Sequence, residues 1–180
     1  MTSTRITNRE SPIWIGETGP TPLGGLWVAV SEKGLVAVES GVSKDEFAVY
    51  LGKRFKRTVE YAPERVAEAV KQLNDYLDGK RSEFTLPIDW SVMRPFQQAA
   101  LKATFAIPYG QTRTYGEIAR QIGRPRAARA VGRAQATNPM PLVIPCHRVI
   151  GADGKLHGYG LGEGVKTKEW LLKMEGAVTA

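Results

Sequence analysis

Cysteine and histidine are scarce in this chain: one cysteine, Cys146, and two histidines, His147 and His157, occur in 180 residues. A lone cysteine forms no intrachain disulfide, which fits a reducing compartment. A structural zinc site needs about four Cys or His ligands. Cys146, His147 and His157 supply three at most, and two of these are adjacent, so no metal is expected. Long apolar runs are missing too: no segment approaches the ~18 apolar residues of a membrane span. The opening residues, MTSTRITNRE, carry no apolar core of a secretory leader. The expected location is therefore the cytoplasm, or a nucleus in a eukaryotic source, with no membrane partner. Repeats and low-complexity tracts are also absent, which argues against a fibrous or disordered chain.

What is present suits an ordinary packed core: 42% hydrophobic and 24% charged residues. The length allows one or two small domains. The formal charge is +7, and it is unevenly placed. Residues 1–90 carry 12 basic and 13 acidic side chains, whereas residues 91–180 carry 13 basic and 5 acidic ones. Arg113, Arg120, Arg124, Arg126, Arg129 and Arg133 crowd one stretch in which Glu117 is the only acid. Such a stretch is either a polyanion site or a solvated basic face.

Hydrophobic periodicity divides the chain near residue 90. Leu26, Val28 and Val30 precede a turn at Glu32-Lys33-Gly34, and Leu35 to Val38 follow it, which predicts two strands and a short loop. Pro63 and Glu64 open a helix whose Val66, Val70, Leu73 and Leu77 share one face, with Gly79 at the C-terminal cap position. Residues 81–93 contain a proline, lack strong periodicity and are expected to be a linker. The second half is mainly helical, beginning with Phe96 to about Phe105. Thr114-Tyr115-Gly116-Glu117 has the capping-box form and starts a helix to about Ile122. After the turn Gly123-Arg124-Pro125 comes a helix from about Ala127 to Ala134, so the pair reads as a helix-turn-helix. Leu142-Val143-Ile144 is expected to be extended, and a last helix to run from about Lys166 to Met174 with Gly176 past its end.

Two features carry chemistry. The first is Pro145-Cys146-His147-Arg148. A lone cysteine is most often a small buried hydrophobe. Here, however, proline fixes the backbone before it, a histidine able to accept a thiol proton follows, and the next residue is an arginine whose charge favours thiolate. Neighbouring side chains in an extended segment point to opposite sides, so a bridging water is an alternative to direct Cys–His contact. The second feature is the slim helix Ala127-Ala128-Arg129-Ala130-Val131-Gly132-Arg133-Ala134. Its small residues suit either close packing on a neighbouring helix or close docking on nucleic acid. It lacks the long polar side chains of a major-groove reader, and this points to sequence-independent or minor-groove docking.

Pro145-Cys146-His147-Arg148-Val149 resembles the active-site signature of the alkylguanine-DNA alkyltransferases, the methylated-DNA–protein-cysteine methyltransferases. Ile107-Pro108-Tyr109-Gly110, Thr114-Tyr115, Ala127 to Gly132, Asn138-Pro139, Gly158-Tyr159-Gly160 and Lys168 to Leu172 follow in the family's order and spacing. The resemblance is close over residues 94–176 and loose over 18–90. It implies an α+β chain: a ribonuclease-H-like α/β domain with its linker at 1–90, and a mainly helical, winged-helix-like domain with the helix-turn-helix at 91–180. It further implies stoichiometric, irreversible transfer of an alkyl group from O6 of guanine in double-stranded DNA, with O4 of thymine an alternative target, onto Cys146. His147 would take the thiol proton through a water, Glu175 would orient His147, and Asn138 would brace the adjacent turn. Tyr115, Tyr159, Gly160 and Lys168 would bind the flipped base, and Ala127, Ala128, Arg129 and Gly132 the DNA, with Arg129 filling the vacated stack. The loop from Tyr159 to Trp170 is about two residues longer than the family's usual form, which makes Lys166 a competitor for the role of Lys168. No cofactor is implied, because substrate and acceptor are both present, and the protein is expected to act as a monomer, with cooperativity along DNA left open. A transcription regulator, a cysteine hydrolase and a non-catalytic damage sensor are the rival readings. The first would want long base-reading side chains, the second an oxyanion hole, and the third a residue other than cysteine at position 146.

Overall fold

The computed structural model describes residues 10–177. The reading of the opening residues falls almost wholly on 1–9, outside the described residues. The first strand, β1 (Ile13–Glu17), is followed by β2 (Leu26–Ser31) and β3 (Gly34–Ser40). The hairpin turn lies at Glu32-Lys33, as the sequence indicates, with Ser31 opposite Gly34. Helix α1 (Lys44–Phe55) starts in a capping box, in which Ser43 accepts from the Glu46 amide and Glu46 accepts from the Ser43 amide. Strand β4 (Val59–Tyr61) then pairs parallel to β1, which completes the sheet order β3-β2-β1-β4. Helix α2 (Pro63–Leu77) follows, with proline in its first turn and Gly79 at φ 72 just past its end. The sequence reading had not resolved β1, α1 or β4. The two strands are five and three residues long, too short for periodicity to register.

Both faces of the sheet are covered, which explains the unbroken apolar run at Leu35–Val38. Ile13, Ile15, Ala29 and Val36 pack against Phe47 and Leu51 of α1. Leu26, Val28, Leu35 and Val38 pack against Val66, Ala69 and Leu73 of α2. This second cluster continues without a break into Leu101, Met140, Leu142, Ile144 and Leu171 of the C-terminal half. Residues 81–93 are fastened down. Ile88 bridges to Leu35, the buried Asp89 accepts from the Ser31 hydroxyl at 2.6 Å, and Trp90–Val92 make a turn of 3₁₀ helix.

The C-terminal half comprises α3 (Pro95–Phe105), β5 (Arg113–Thr114), α4 (Tyr115–Gln121), α5 (Ala128–Ala136), β6 (Val149–Ile150) and α6 (Val165–Met174), with β5 and β6 paired in parallel. The Thr114/Glu117 capping box forms as read. Leu142–Ile144 is not extended: it lies in a tight turn with Leu142 at φ 74, followed by a 3₁₀ turn over Cys146–Arg148. Its apolar character reflects burial in the shared core, with Leu142 and Ile144 wholly inaccessible, rather than strand pairing.

Gly34 is where the hairpin meets the linker. It sits at φ 133, and a Cβ there would collide with the Pro87 carbonyl. Gly34→Ala is expected to destabilise the protein by at least about 2 kcal/mol. Urea unfolding checks this, and an unchanged midpoint would refute the packing argument.

Candidate active site

Asn138, just past the end of α5, builds the turn that delivers Cys146. Its Nδ2 donates to the Ile144 carbonyl at 2.9 Å, and its Oδ1 accepts from the Met140 amide at 3.0 Å. One side-chain amide therefore holds both limbs of the turn. The left-handed conformation of Leu142 costs on the order of 1–2 kcal/mol, offset by burying Met140, Leu142 and Ile144. The Pro139 carbonyl accepts from the Val38 amide at 2.9 Å, which docks the turn on β3. Cys146, 7% exposed, follows at the start of the 3₁₀ turn.

Four side chains from three parts of the chain meet behind it. Glu175, the last residue of the α6 cap, accepts from Tyr76 Oη at 2.6 Å and pairs with His147 Nε2 at 2.8 Å through the same oxygen, Oε1. Arg148 grips both carboxylate oxygens, Nη2 to Oε1 at 2.8 Å and Nε to Oε2 at 2.9 Å, and its Nη1 donates to the Ile107 carbonyl at 2.7 Å. Burial alone would raise the Glu175 carboxyl, but hydrogen bonds from His147 and Arg148 outweigh it and hold its pKa at about 2. An ionised carboxylate only accepts, so His147 carries its proton on Nε2. Nδ1 is then the free lone pair, and it is buried with no hydrogen-bond partner.

Burial pushes the Cys146 thiol up, while the Asn138 side chain and the charge of Lys168 pull the other way. Burial also pushes the His147 imidazole down, against the pull of Glu175. The resting pair is therefore a neutral thiol beside a neutral imidazole. The sequence reading assigned Arg148 to thiolate stabilisation. The structure corrects this: its guanidinium is spent on Glu175 and Ile107, and the cation acting on Cys146 is Lys168. Cys146 and His147 lie in a 3₁₀ turn rather than the extended segment expected, so strand alternation does not set their side-chain directions.

Cys146 opens into a cavity of about 710 Å³ lined by Tyr115, Arg129, Gly132, Tyr159, Gly160 and Lys168, among others. Tyr115 is the first residue of α4, set by the capping box. Gly132 of α5 leaves room for the Tyr115 ring, which a Cβ there would only just touch at 3.9 Å. Ala128 lines the cavity and Ala127 caps α5 beside it, while Arg129 is exposed at the rim. The Tyr159 hydroxyl is buried without a partner, and its ring stands edge-on to His147 at 6.3 Å. Lys168 is 1% exposed, and its Nζ donates to the Val149 and His157 carbonyls at 2.7 and 3.0 Å. Burial lowers its pKa to about 8. Lys166 is exposed and absent from the cavity wall, so the longer loop leaves Lys168 in place. Of the residues read from sequence, Tyr115, Ala128, Arg129, Gly132, Cys146, Tyr159, Gly160 and Lys168 line this cavity, whereas Ala127, Asn138, His147 and Glu175 do not reach its wall.

Two residues were missed. Tyr76 comes from the N-terminal half, on the apolar face of α2 that also carries Leu73. A tyrosine on such a face needs a buried partner for its hydroxyl, and that was the available signal. Gln135 lines the cavity with its Oε1 buried and unpartnered, while its Nε2 donates to Thr104 at 2.8 Å.

Comparison with known proteins places this arrangement. Residues 95–177 match the 6-O-methylguanine DNA methyltransferase DNA-binding domain, and residues 17–90 match the ribonuclease-like domain of the same protein. A methylated-DNA–protein-cysteine methyltransferase of Methanosarcina barkeri is 43% identical over 86% of this chain and 92% of its own. That of Mycobacterium tuberculosis is 52% identical over 63% of this chain and 67% of its own. The crystal structure of M. tuberculosis OGT in complex with DNA is similar at TM-score 0.69 and 39% identity, covering 92% of this chain and 93% of that one. The chain belongs to the methylated-DNA–protein-cysteine methyltransferase family, a family of DNA-repair enzymes. Its ribonuclease-like half is the four-stranded sheet with α1 and α2, and its DNA-binding half contains α4 and α5. No described helix is long and apolar enough to cross a membrane.

In this methyltransferase the Glu175 cluster should dominate acid stability. A carboxyl held at about 2 when folded, against an ordinary 4.5, contributes about 3 kcal/mol. Because the folded pKa is the lower one, that contribution is present above about pH 4.5 and disappears as pH falls towards 2. Urea unfolding of wild type and Glu175→Gln across this range should show a stability gap that closes on acidification. A gap independent of pH would contradict the assignment of charge to Glu175.

Proposed function

We propose that the protein repairs O6-alkylguanine in double-stranded DNA by moving the alkyl group irreversibly onto Cys146. The observation that carries this reading is the only thiol of the chain opening into a cavity walled by α5. Its volume of about 710 Å³ falls within the usual range of small-molecule sites, about 300–1,000 Å³. An alkyl carbon on O6 is out of reach inside a stacked duplex, so the nucleotide must be extruded into the cavity. Two unpartnered buried acceptors or donors on the wall, the Tyr159 hydroxyl and Gln135 Oε1, suit the polar edge of a purine. Tyr115 supplies an aromatic wall. Arg129, at the rim, is placed to enter the stack from which the base departs. The small side chains Ala127, Ala128 and Gly132 let α5 approach the minor groove closely.

The chemistry follows from the protonation states. His147 Nδ1 takes the proton of the Cys146 thiol, directly or through one water, and the imidazolium so formed is stabilised by Glu175. Sulfur attacks the alkyl carbon, the S–C bond forms as the C–O6 bond breaks, and the electron pair leaves with guanine. Lys168 supplies positive charge near the sulfur. The product thioether carbon is a poor electrophile that water does not displace from sulfur even beside a base, so each molecule acts once. No cofactor takes part in this scheme.

Intact-mass measurement after incubation with a duplex containing one O6-methylguanine tests the reaction. Wild type should gain one methyl group per protein and Cys146→Ser none. Binding without a mass gain would overturn catalysis and favour a damage sensor. Arg129→Ala should slow repair of duplex DNA by roughly 10- to 100-fold, since unstacking costs a few kcal/mol. It should have much less effect on single-stranded substrate. Equal rates for wild type and variant on duplex would refute the stack-filling role.

A further inference from the structure

The overall charge of the first half hides a local concentration: Lys53, Arg54, Lys56 and Arg57 lie within five residues at the end of α1. One of them, Arg54, meets Arg94 and Arg133 around a groove of about 760 Å³ whose walls also include Phe55, Phe96, Gln97, Ala130 and Thr137. No acidic side chain lines this groove among the described residues. All three arginines are exposed, and none is ion-paired within the described residues. Arg54 makes one long hydrogen bond, 3.4 Å, to the Val92 carbonyl and lies over the Phe55 ring at 5.4 Å. Helix α3 begins on the same wall. Its N-cap, Arg94, makes no side-chain cap, so the positive end of that helix adds to the field.

The groove's position relative to α5 gives it meaning. At about 100° per residue, Arg129, Arg133 and Ala136 form one outward ridge of α5, and all three are exposed. Ala128, Gly132 and Gln135 fall away on the side of the Cys146 cavity. Ala130, Ala134 and Thr137 fall away on the opposite side, into the basic groove. A duplex seated on this ridge, as in the function proposed above, projects beyond it over the groove.

We infer that the groove formed by Arg54, Arg94 and Arg133 is a second DNA contact, in which the sugar-phosphate backbone flanking the lesion is held jointly by the ribonuclease-like half and the helix-turn-helix half. The ligand is the phosphate backbone. Unpaired guanidinium groups around a groove whose own wall carries no acid match the charge and forked acceptors of phosphate. Nothing on the groove walls favours one base over another, so its contribution is independent of sequence and sensitive to salt. The N-terminal half thereby acts in binding as well as in bracing Glu175 through Tyr76.

This inference rests on the duplex-binding reading, and the experiment separates the two. Binding of an undamaged labelled duplex of about 24 base pairs is titrated at several salt concentrations, with protein limited to one per duplex. Each lost phosphate contact lowers the slope of log affinity against log salt by about 0.9. The double variant Arg54→Ala/Arg94→Ala should therefore show a slope shallower by about two, whereas Arg54→Lys/Arg94→Lys retains the wild-type slope. Lys80→Ala removes one exposed charge away from the groove and should leave the slope unchanged. If the double alanine variant keeps the wild-type slope while wild type still gains a methyl group from damaged duplex, this inference falls and the repair reading stands. If wild type neither binds duplex nor gains the methyl group, both fall. A loss confined to protein excess, with the one-to-one slope intact, would assign the groove to a second copy of the chain and also overturn the inference.

Discussion

The carboxylate of Glu175 is the constraint on which the site depends. It is buried, charged, and placed at the C-terminal end of α6, where the helix dipole opposes a negative charge. Such a group is tolerable only if its lone pairs are filled and its charge is balanced. Arg148 does both on two oxygens, Tyr76 fills Oε1 further, and His147 completes the set. Each partner is fixed in return. His147 is forced into the tautomer that leaves Nδ1 basic, Arg148 ties the Ile107 turn to α6, and Tyr76 ties α2 to the active centre. The demand of one buried charge thus orders three separated parts of the chain.

The nucleophile is arranged on the opposite principle. Cys146 and His147 rest uncharged, because burial disfavours thiolate and imidazolium alike. In the proposed reaction charge appears only when the proton moves, and Glu175 beside His147 and Lys168 near the sulfur are already in place to stabilise it. Such preorganisation suits the single transfer proposed above, in which the thiol stays unreactive until a substrate fills the cavity. The Asn138 turn serves the same end: it holds Cys146 through a strained backbone position that only deep burial maintains.

Much of this was legible in the residues. Capping boxes are local, so the start of α4 was placed by Thr114 and Glu117 alone. The hairpin turn, the apolar face of α2 and the slim α5 were likewise set by short-range pattern, and the Pro145–Val149 segment together with its companion motifs marked the family. The extended reading of Leu142–Ile144 failed because a short apolar run looks the same whether it pairs in a sheet or lies buried in a turn. The role given to Arg148 failed because adjacency in sequence was taken for adjacency in space.

By itself, therefore, the sequence determined which residue types were available, where α2 and α4 begin, and that a single thiol lies beside a histidine in a basic half of the chain. Only the tertiary structure decided which atom of His147 is free, that Lys168 rather than Lys166 reaches the site, that Arg148 serves the carboxylate, and that Tyr76 belongs to the centre at all. The reason is separation along the chain. Tyr76 lies 71 residues from His147 and 99 from Glu175, and contacts over such spans follow from how two hydrophobic faces pack, which no local pattern records.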